Sequence, residues 1–274
     1  MSLNLTILYH IKLITKFDIC VLLLSHADSL TVYNIINLYM KYIFGDIHDV
    51  IKTLPNNSID FIYTDPPFGI TKATWDDELR WTELFPEMWR VLKPTGIICL
   101  YASMPFTYKL LKYDQPKYHY SWKKNNSTGF FIAKKQPLRC MEEIFIYYKK
   151  TGTYNPQMEG SDVHKRRNLI HTGGSGYFTS SEGAKMPSHN HESDEGSHTG
   201  NYPTTFREWP IRKEKGGITR TDEHIDYFIH TYSNEGDTIL DMTCHNMTVG
   251  KRCEALQRNY IGVDINKFPL TETD

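Results

Sequence analysis

Residues 59–68, Ile59-Asp60-Phe61-Ile62-Tyr63-Thr64-Asp65-Pro66-Pro67-Phe68, decide how the rest of the chain is read. Ile59 to Thr64 is a short apolar run with β-branched and aromatic residues, the composition of a buried strand. Two consecutive prolines then end it, because each lacks a backbone donor and fixes its own φ. A helix should follow: Trp81, Leu84, Phe85, Met88, Trp89 and Leu92 recur at helical spacing. Lys93-Pro94-Thr95-Gly96 should stop that helix, and Ile97 to Tyr101 forms the next apolar strand. Upstream, Ile43 to Asp46 reads as a short strand and His48 to Leu54 as a short helix. This alternation of strand, helix and strand predicts an α/β fold with a doubly wound, largely parallel sheet.

A second such unit lies near the C-terminus. Thr221 is placed to cap a helix whose apolar face is Ile225, Phe228, Ile229 and Tyr232. Strand Thr238–Asp241, a helix over about Thr248–Leu256 and strand Tyr260–Asp264 follow. Two strands joined by a helix, each ending in an acid, have the form either of a nucleotide-binding unit or of an α/β unit that binds no ligand. A carboxylate there can accept hydrogen bonds from ribose hydroxyls. The intervening loop, Met242-Thr243-Cys244-His245-Asn246-Met247-Thr248, has no glycine before Gly250. A side chain at a position needing positive φ costs ~1–2 kcal/mol, and Asn246 is the residue there best suited to a left-handed conformation.

Between these halves the chain is basic and aromatic. Lys109, Lys112, Lys117, Lys123, Lys124, Lys134, Lys135, Arg139, Lys149 and Lys150 outnumber Asp114, Glu142 and Glu143. Tyr118, Tyr120, Trp122, Phe130 and Phe131 are interleaved with them. A charge run is usually a solvated face. Residues 171–200 are rich in Ser, Gly and His and are expected to form a long mobile loop. His189, His191 and His198 in that loop lack a supporting acid–cysteine pattern, so no metal site is expected. Cys244-His245 could hold a nucleophile or ligand; loop filler is the better reading.

The 274 residues have a formal net charge of −1, so any nucleic-acid argument rests on local clustering, not global charge. Five scattered cysteines without a C-x-x-C spacing suit reduced thiols inside a cell. Residues 1–40 are expected to be an N-terminal extension. Its apolar residues are interrupted by Lys12, Lys16 and Asp18, too often for a membrane span of about 18 apolar residues. A signal peptide also fits poorly, and Met40 would serve as a start.

Taken in order, the motifs resemble those of S-adenosylmethionine-dependent DNA adenine-N6 methyltransferases, in the β-type order that sets the catalytic half before the cofactor half. The matching pieces begin with Gly45-Asp46, Thr64-Asp65-Pro66-Pro67-Phe68-Gly69-Ile70-Thr71 and Trp75-Asp76. Arg90 to Gly96, Pro105-Phe106-Thr107, Trp122-Lys123-Lys124-Asn125, Thr128-Gly129-Phe130, Ala133-Lys134-Lys135 and Tyr154 to Gln157 continue the series. Glu235 to Asp241 and Arg258 to Asp264 complete it.

The resemblance implies a Rossmann-like methyltransferase domain over 41–268: a catalytic half (41–108), an inserted target-recognition region (109–217) and a cofactor half (218–268). It assigns catalysis to Asp65, Pro66, Pro67 and Phe68. S-adenosylmethionine would be held by Asp46, Arg220, Asp241, Thr243, Cys244, Asn246, Thr248 and Asp264. Arg220 stands where such proteins often carry a lysine and would pair with the methionine carboxylate. Lys123, Lys124, Asn126, Lys134, Lys135 and Arg139 would contact DNA. The implied partner is double-stranded DNA, with no membrane and no metal, an intracellular location, and a homodimer as one assembly compatible with the family. The departures at 216–221 and 245–247 fall on the cofactor side. They raise a second reading, a methyltransferase-like DNA-binding or partner subunit with a degraded cofactor loop.

Overall fold

In the computed structural model, residues 41–164, 198–214 and 217–266 are described. The N-terminal extension, most of the Ser/Gly/His-rich segment and residues 215–216 lie outside them. Residues 198–200, grouped above with that loop, belong instead to strand β7 (His198–Asn201), which pairs antiparallel with β6 (Glu159–His164). The described part of 156–204 forms a small unit of its own, and the remaining described residues form the main unit.

The main unit is built on an eight-stranded sheet of order β1-β12-β11-β2-β3-β5-β4-β8. Its strands are β1 (Lys41–Phe44), β2 (Ile59–Thr64), β3 (Leu92–Ala102), β4 (Tyr118–Thr128), β5 (Arg139–Tyr147), β8 (Phe206–Trp209), β11 (Thr238–Asp241) and β12 (Asn259–Asp264). The first five strands in spatial order are mutually parallel. β5 then runs antiparallel to both β3 and β4, and β8 parallel to β4. A hairpin of β9 (Ile211–Glu214) and β10 (Gly217–Arg220) leads back toward the C-terminal half.

Strand side chains alternate between two cores, as a sheet covered on both faces requires. Ile62, Ile98, Leu100, Phe145, Leu240 and Val263 pack with helices α1 (Ile47–Thr53), α2 (Trp81–Val91) and α3 (Phe106–Leu110). Phe61, Tyr63, Cys99, Tyr101, Ile146, Ile239 and Tyr260 pack on the opposite face with α4 (Asp222–Tyr232) and α5 (Thr248–Ala255). Helix α2 ends at Val91, just ahead of the Lys93-Pro94-Thr95-Gly96 stop read from the sequence, but β3 starts at once at Leu92, earlier than the Ile97 start expected. The sheet takes up the difference by a register shift between Ile59 and Phe61 of β2.

This topology fixes where a ligand can sit. From β2 the chain crosses through α2 to β3; from the neighbouring β11 it crosses through α5, on the other face and in the other direction, to β12. The crevice beyond the carboxyl ends of β2 and β11 is therefore a topological switch point, where open α/β sheets bind their ligands. No described helix is long and apolar enough to cross a membrane.

Candidate active site

Four acids lie at or just beyond the carboxyl ends of the parallel strands: Asp46 after β1, Asp65 after β2, Asp241 ending β11 and Asp264 ending β12. The two strands at the switch point are tied directly, because the Thr243 hydroxyl donates to the backbone carbonyl of Asp65 at 3.1 Å. The two stretches read from the sequence as catalytic and cofactor-binding, far apart in sequence, thus share one crevice.

The loop that begins at Asp65 is held from behind by Asp76. Its carboxylate accepts four successive backbone N–H bonds, from Phe68 (2.8 Å), Gly69 (2.8 Å), Ile70 (3.0 Å) and Thr71 (2.6 Å). Burial opposes the Asp76 charge, but the Thr71 side chain and these backbone donors win and hold its carboxyl below the usual range. Gly69 turns with φ +63°, and a Cβ there would meet the Glu78 Cβ at 2.8 Å, so a glycine is needed. Pro66 is buried, whereas Phe68 is half-buried and stacks on Phe106 with centroids 5.3 Å apart and planes 16° apart. Two fixed prolines and the Asp76 clamp leave the loop little freedom. The sequence reading quoted Trp75-Asp76 without giving Asp76 a role, because a brace acting on backbone amides leaves no signal but an acid a few residues downstream.

Asp65 is paired with Arg220, whose Nη1 donates to Asp65 Oδ2. The same guanidinium reaches Glu142 Oε2 at 3.4 Å, and Glu142 Oε1 accepts from Lys124 Nζ at 2.7 Å. It lies over the rings of Tyr101 (4.1 Å) and Trp122 (5.2 Å). Behind Tyr101 a buried chain of polar contacts runs from Tyr63 Oη (2.8 Å) through Tyr101 Oη to His224 Nε2 (2.9 Å). Burial, reinforced by the Arg220 charge, pushes the His224 pKa well down and keeps that ring neutral. Crowding by protein raises the Asp65 carboxyl to about 6 even against the pull of Arg220. Burial works against the Arg220 charge, and Asp65 and Glu142 more than offset it.

Arg220 therefore contacts Asp65, the acid the sequence reading assigned to catalysis. Glu142, which sequence reading counted only as an acid opposing a basic cluster, is its second partner. Lys124, read as a phosphate contact, is only 10% exposed at its side chain and ion-paired to Glu142. Lys123 pairs with Glu208 at 3.0 Å on the surface, Asn126 is half-buried, and Lys134 and Lys135 are exposed. Arg139 donates to the Met104 carbonyl at 3.0 Å.

On the cofactor side, Asp241 is buried and accepts from the Tyr260 hydroxyl (3.1 Å) and the Thr243 amide (3.2 Å). Burial raises its carboxyl to about 7. Asp264 accepts from the His245 amide at 2.8 Å, tying the loop to the end of β12. Cys244 is buried, which pushes its thiol up and makes it an inert packing group. Asn246 Oδ1 accepts from the Thr248 hydroxyl (2.6 Å) and amide (3.3 Å) at the start of α5. Asp46 caps α1 through the His48 amide (2.8 Å) and meets His48 Nδ1 at 2.7 Å; since His48 Nε2 accepts from the Arg80 amide, Nδ1 carries the proton.

The left-handed backbone falls at His245 (φ +43°) and Met247 (φ +57°), not at Asn246. That corrects the expectation drawn from side-chain preference. The bend of the loop is set by its ties to β12 and α5, and the residues flanking Asn246 take the strain. A backbone shaped for glycine thus persists without glycine. With carboxylates at the ends of β11 and β12, this donor set and cradle fit a nucleoside-containing cofactor.

The family described as DNA methylase, comprising N6 and N4 methyltransferases, matches residues 59–272. The chain belongs to that family: it is a DNA methyltransferase, and its methyl donor is S-adenosylmethionine. It is 30% identical over 241 residues to the type II methyltransferase M.HpaI of Haemophilus parainfluenzae, covering 79% of this chain and 67% of that protein. It is 26% identical over 243 residues to the DNA adenine methyltransferase YhdJ of Escherichia coli K12, covering 82% of this chain and 78% of that one. Among solved structures the cytosine-N4-specific PvuII DNA methyltransferase superposes with a TM-score of 0.54 at 14% identity over 84% of each chain. M1.HpyAVI superposes with 0.52 at 17% identity, over 83% of this chain and 93% of its own. At such identities the superpositions speak for the fold.

Proposed function

We propose that this chain transfers a methyl group from S-adenosylmethionine to the exocyclic N6 amine of an adenine in double-stranded DNA, at a specific site. The observation that carries the reading is the rigid Asp65-Pro66-Pro67-Phe68 loop at the switch point, clamped by Asp76 and tied through Thr243 to the cofactor strand. The adenine relative YhdJ supports it, and so does the Asp-Pro-Pro-Phe form, which by resemblance favours adenine over cytosine.

Adenine's amine is a poor nucleophile because its lone pair is delocalised into the ring. Asp65 and the Pro66 carbonyl accept hydrogen bonds from its two N–H groups, fixing the nitrogen and raising its electron density. S-adenosylmethionine supplies an electrophilic sulfonium methyl. The nitrogen lone pair forms the new bond to carbon as the bond to sulfur breaks, and Asp65, with its raised pKa, is placed to take the proton that the amine loses. Phe68 stacks on the base, which has been flipped from the duplex at a cost of a few kcal/mol. Asp264 and Asp46 hold the ribose and adenosine, while Asp241, Thr243, Cys244, Asn246 and Thr248 shape the cradle. Arg220, which contacts Asp65, would also pair with the methionine carboxylate. Lys123, Lys134, Lys135 and Arg139 line the approach of the DNA, and the order of catalytic half before cofactor half is the β-type. Burial of Cys99, Cys244 and Cys253 as free thiols supports an intracellular location.

A second reading, a partner subunit without transfer activity, rests on the strained residues His245 and Met247. One experiment separates the two. The chain is incubated with methyl-labelled cofactor and unmethylated DNA, which is then digested to nucleosides. Label in N6-methyladenosine supports the first reading. Label in N4-methylcytosine refutes the base assignment, and DNA binding without label or cofactor affinity favours the second reading.

A further inference from the structure

The β4–β5 hairpin runs past the end of β3. Tyr101 and Ala102 pair with Ile144 and Glu143, but β4 and β5 stay paired beyond them through Glu142 and Met141 and meet again at Thr128 and Arg139. Glu142, which contacts Arg220 beside Asp65, and Arg139 are three positions apart, or about 10 Å of strand. The ribbon thus projects from the carboxyl ends of the parallel strands, on the side where Asp65 lies. At its tip Gly129 turns with φ +93°, a 3-10 turn spans Phe130–Ile132, and Lys134 and Lys135 follow.

The tip is apolar where a soluble loop should be polar. Phe130 is 67% exposed, Ile132 37%, and Phe131 107%, so nothing among the described residues covers it. Hydrophobic residues at the far end of a ribbon, flanked by lysines, add nothing to the core. A two-stranded ribbon is a shape that the DNA major groove admits, and proteins that distort DNA insert apolar wedges such as Phe between base steps. Lysines beside the tip supply the phosphate attraction that brings it to the duplex.

We propose that Phe131, supported by Phe130, is a wedge that enters the base stack beside the target adenine and fills the space the flipped base leaves. The proposal rests on the reading of this chain as a duplex-DNA adenine methyltransferase and assigns the base-opening step to the hairpin tip. Asp65 and Phe68 then receive a base that the tip has helped to expel, and Lys134 and Lys135 hold the backbone.

The test measures two things on one plasmid with the full chain: methyl transfer from labelled cofactor, and permanganate oxidation of unstacked thymines, which reports duplex opening without methylation. Phe131→Ala is expected to reduce thymine reactivity by roughly five- to a hundredfold, the scale of losing one base–aromatic stack. DNA affinity at low salt, dominated by phosphate contacts, should change far less. Phe131→Leu should restore most of the opening. Lys134→Ala should instead weaken binding and lower its salt dependence while leaving opening of bound DNA intact. Opening by Phe131→Ala equal to wild type overturns the wedge, whatever the methylation result. Wild-type opening without methyl transfer, abolished in Phe131→Ala, upholds the wedge and overturns the catalytic reading. A wild-type chain that neither opens nor methylates duplex DNA overturns both.

Discussion

The two loops that meet at the switch point are built on opposite principles. The catalytic loop, residues 65–76, is pinned by two prolines, a glycine at positive φ and one buried carboxylate that collects four backbone amides. The cofactor loop, residues 241–248, carries left-handed backbone on His245 and Met247, where glycine would be unstrained. One half fixes its geometry with dedicated contacts; the other keeps its shape through ties to neighbouring strands while bearing local strain. Rigidity is thus concentrated in the loop proposed to orient the amine, and strain in the loop proposed to admit the cofactor.

Removing the clamp should have the largest effect on this contrast. Asp76→Ala leaves four amides without their charged acceptor, and losing even part of that set should destabilise the fold by about 3 kcal/mol. Chemical denaturation measures it, and turnover should fall as well. Asp76→Asn should lie between the two, since an amide oxygen can still accept some of the bonds.

The cofactor loop should respond according to burial, not strain alone. Met247 is 3% exposed and packs in the core beneath α4 and α5. Met247→Gly therefore relieves ~1–2 kcal/mol of backbone strain yet forfeits about 2–5 kcal/mol of packing, and the denaturation midpoint should drop. If the midpoint rose, strain would outweigh packing in this loop.

Titration separates the halves again. With its carboxyl raised to about 6, Asp65 must be ionised to accept the amine. Single-turnover transfer should therefore fall about tenfold per pH unit below 6 and level off above it. Asp241 is raised to about 7 from an ordinary 3.8. Between those values the folded chain holds a proton that the unfolded chain has released, so this group's contribution to stability declines as pH rises through the window. Asp241→Asn should flatten that part of the stability profile.

The smallest effect should come from His245→Gly. Its side chain is exposed, so nothing is lost from the core. Relief of the left-handed strain exceeds the added chain entropy of glycine by about 0.5 kcal/mol. The denaturation midpoint should rise slightly with cofactor affinity by calorimetry unchanged, and a marked loss of affinity would give the His245 side chain a binding role.

How legible all this was in the sequence follows from the range of the interactions involved. Strands β2, β11 and β12 and helices α2, α4 and α5 are written in local periodicity, and their residues fell where the pattern put them. The far edge of the sheet was not: the parallel pairing of β8 with β4 joins segments some 85 residues apart, and no local pattern carries it. The same holds at the site. Asp65 and its flanking prolines announce themselves within four residues, whereas the Arg220 contact spans 155 positions and the Glu142 contact 78. Asn246 was the natural choice for a left-handed residue by preference. The tertiary ties of the loop moved that conformation to its neighbours.

The most direct measurement compares the wild-type chain with Asp65→Ala in single-turnover methyl transfer to DNA, after calorimetry has established cofactor binding for both. Wild type should label adenine at N6. The variant should bind S-adenosylmethionine with similar affinity yet transfer roughly 10²–10³-fold more slowly, the scale of losing one preorganised hydrogen-bonding group. Transfer by Asp65→Ala at the wild-type rate, or a wild type that binds both ligands and labels no adenine, would contradict the account.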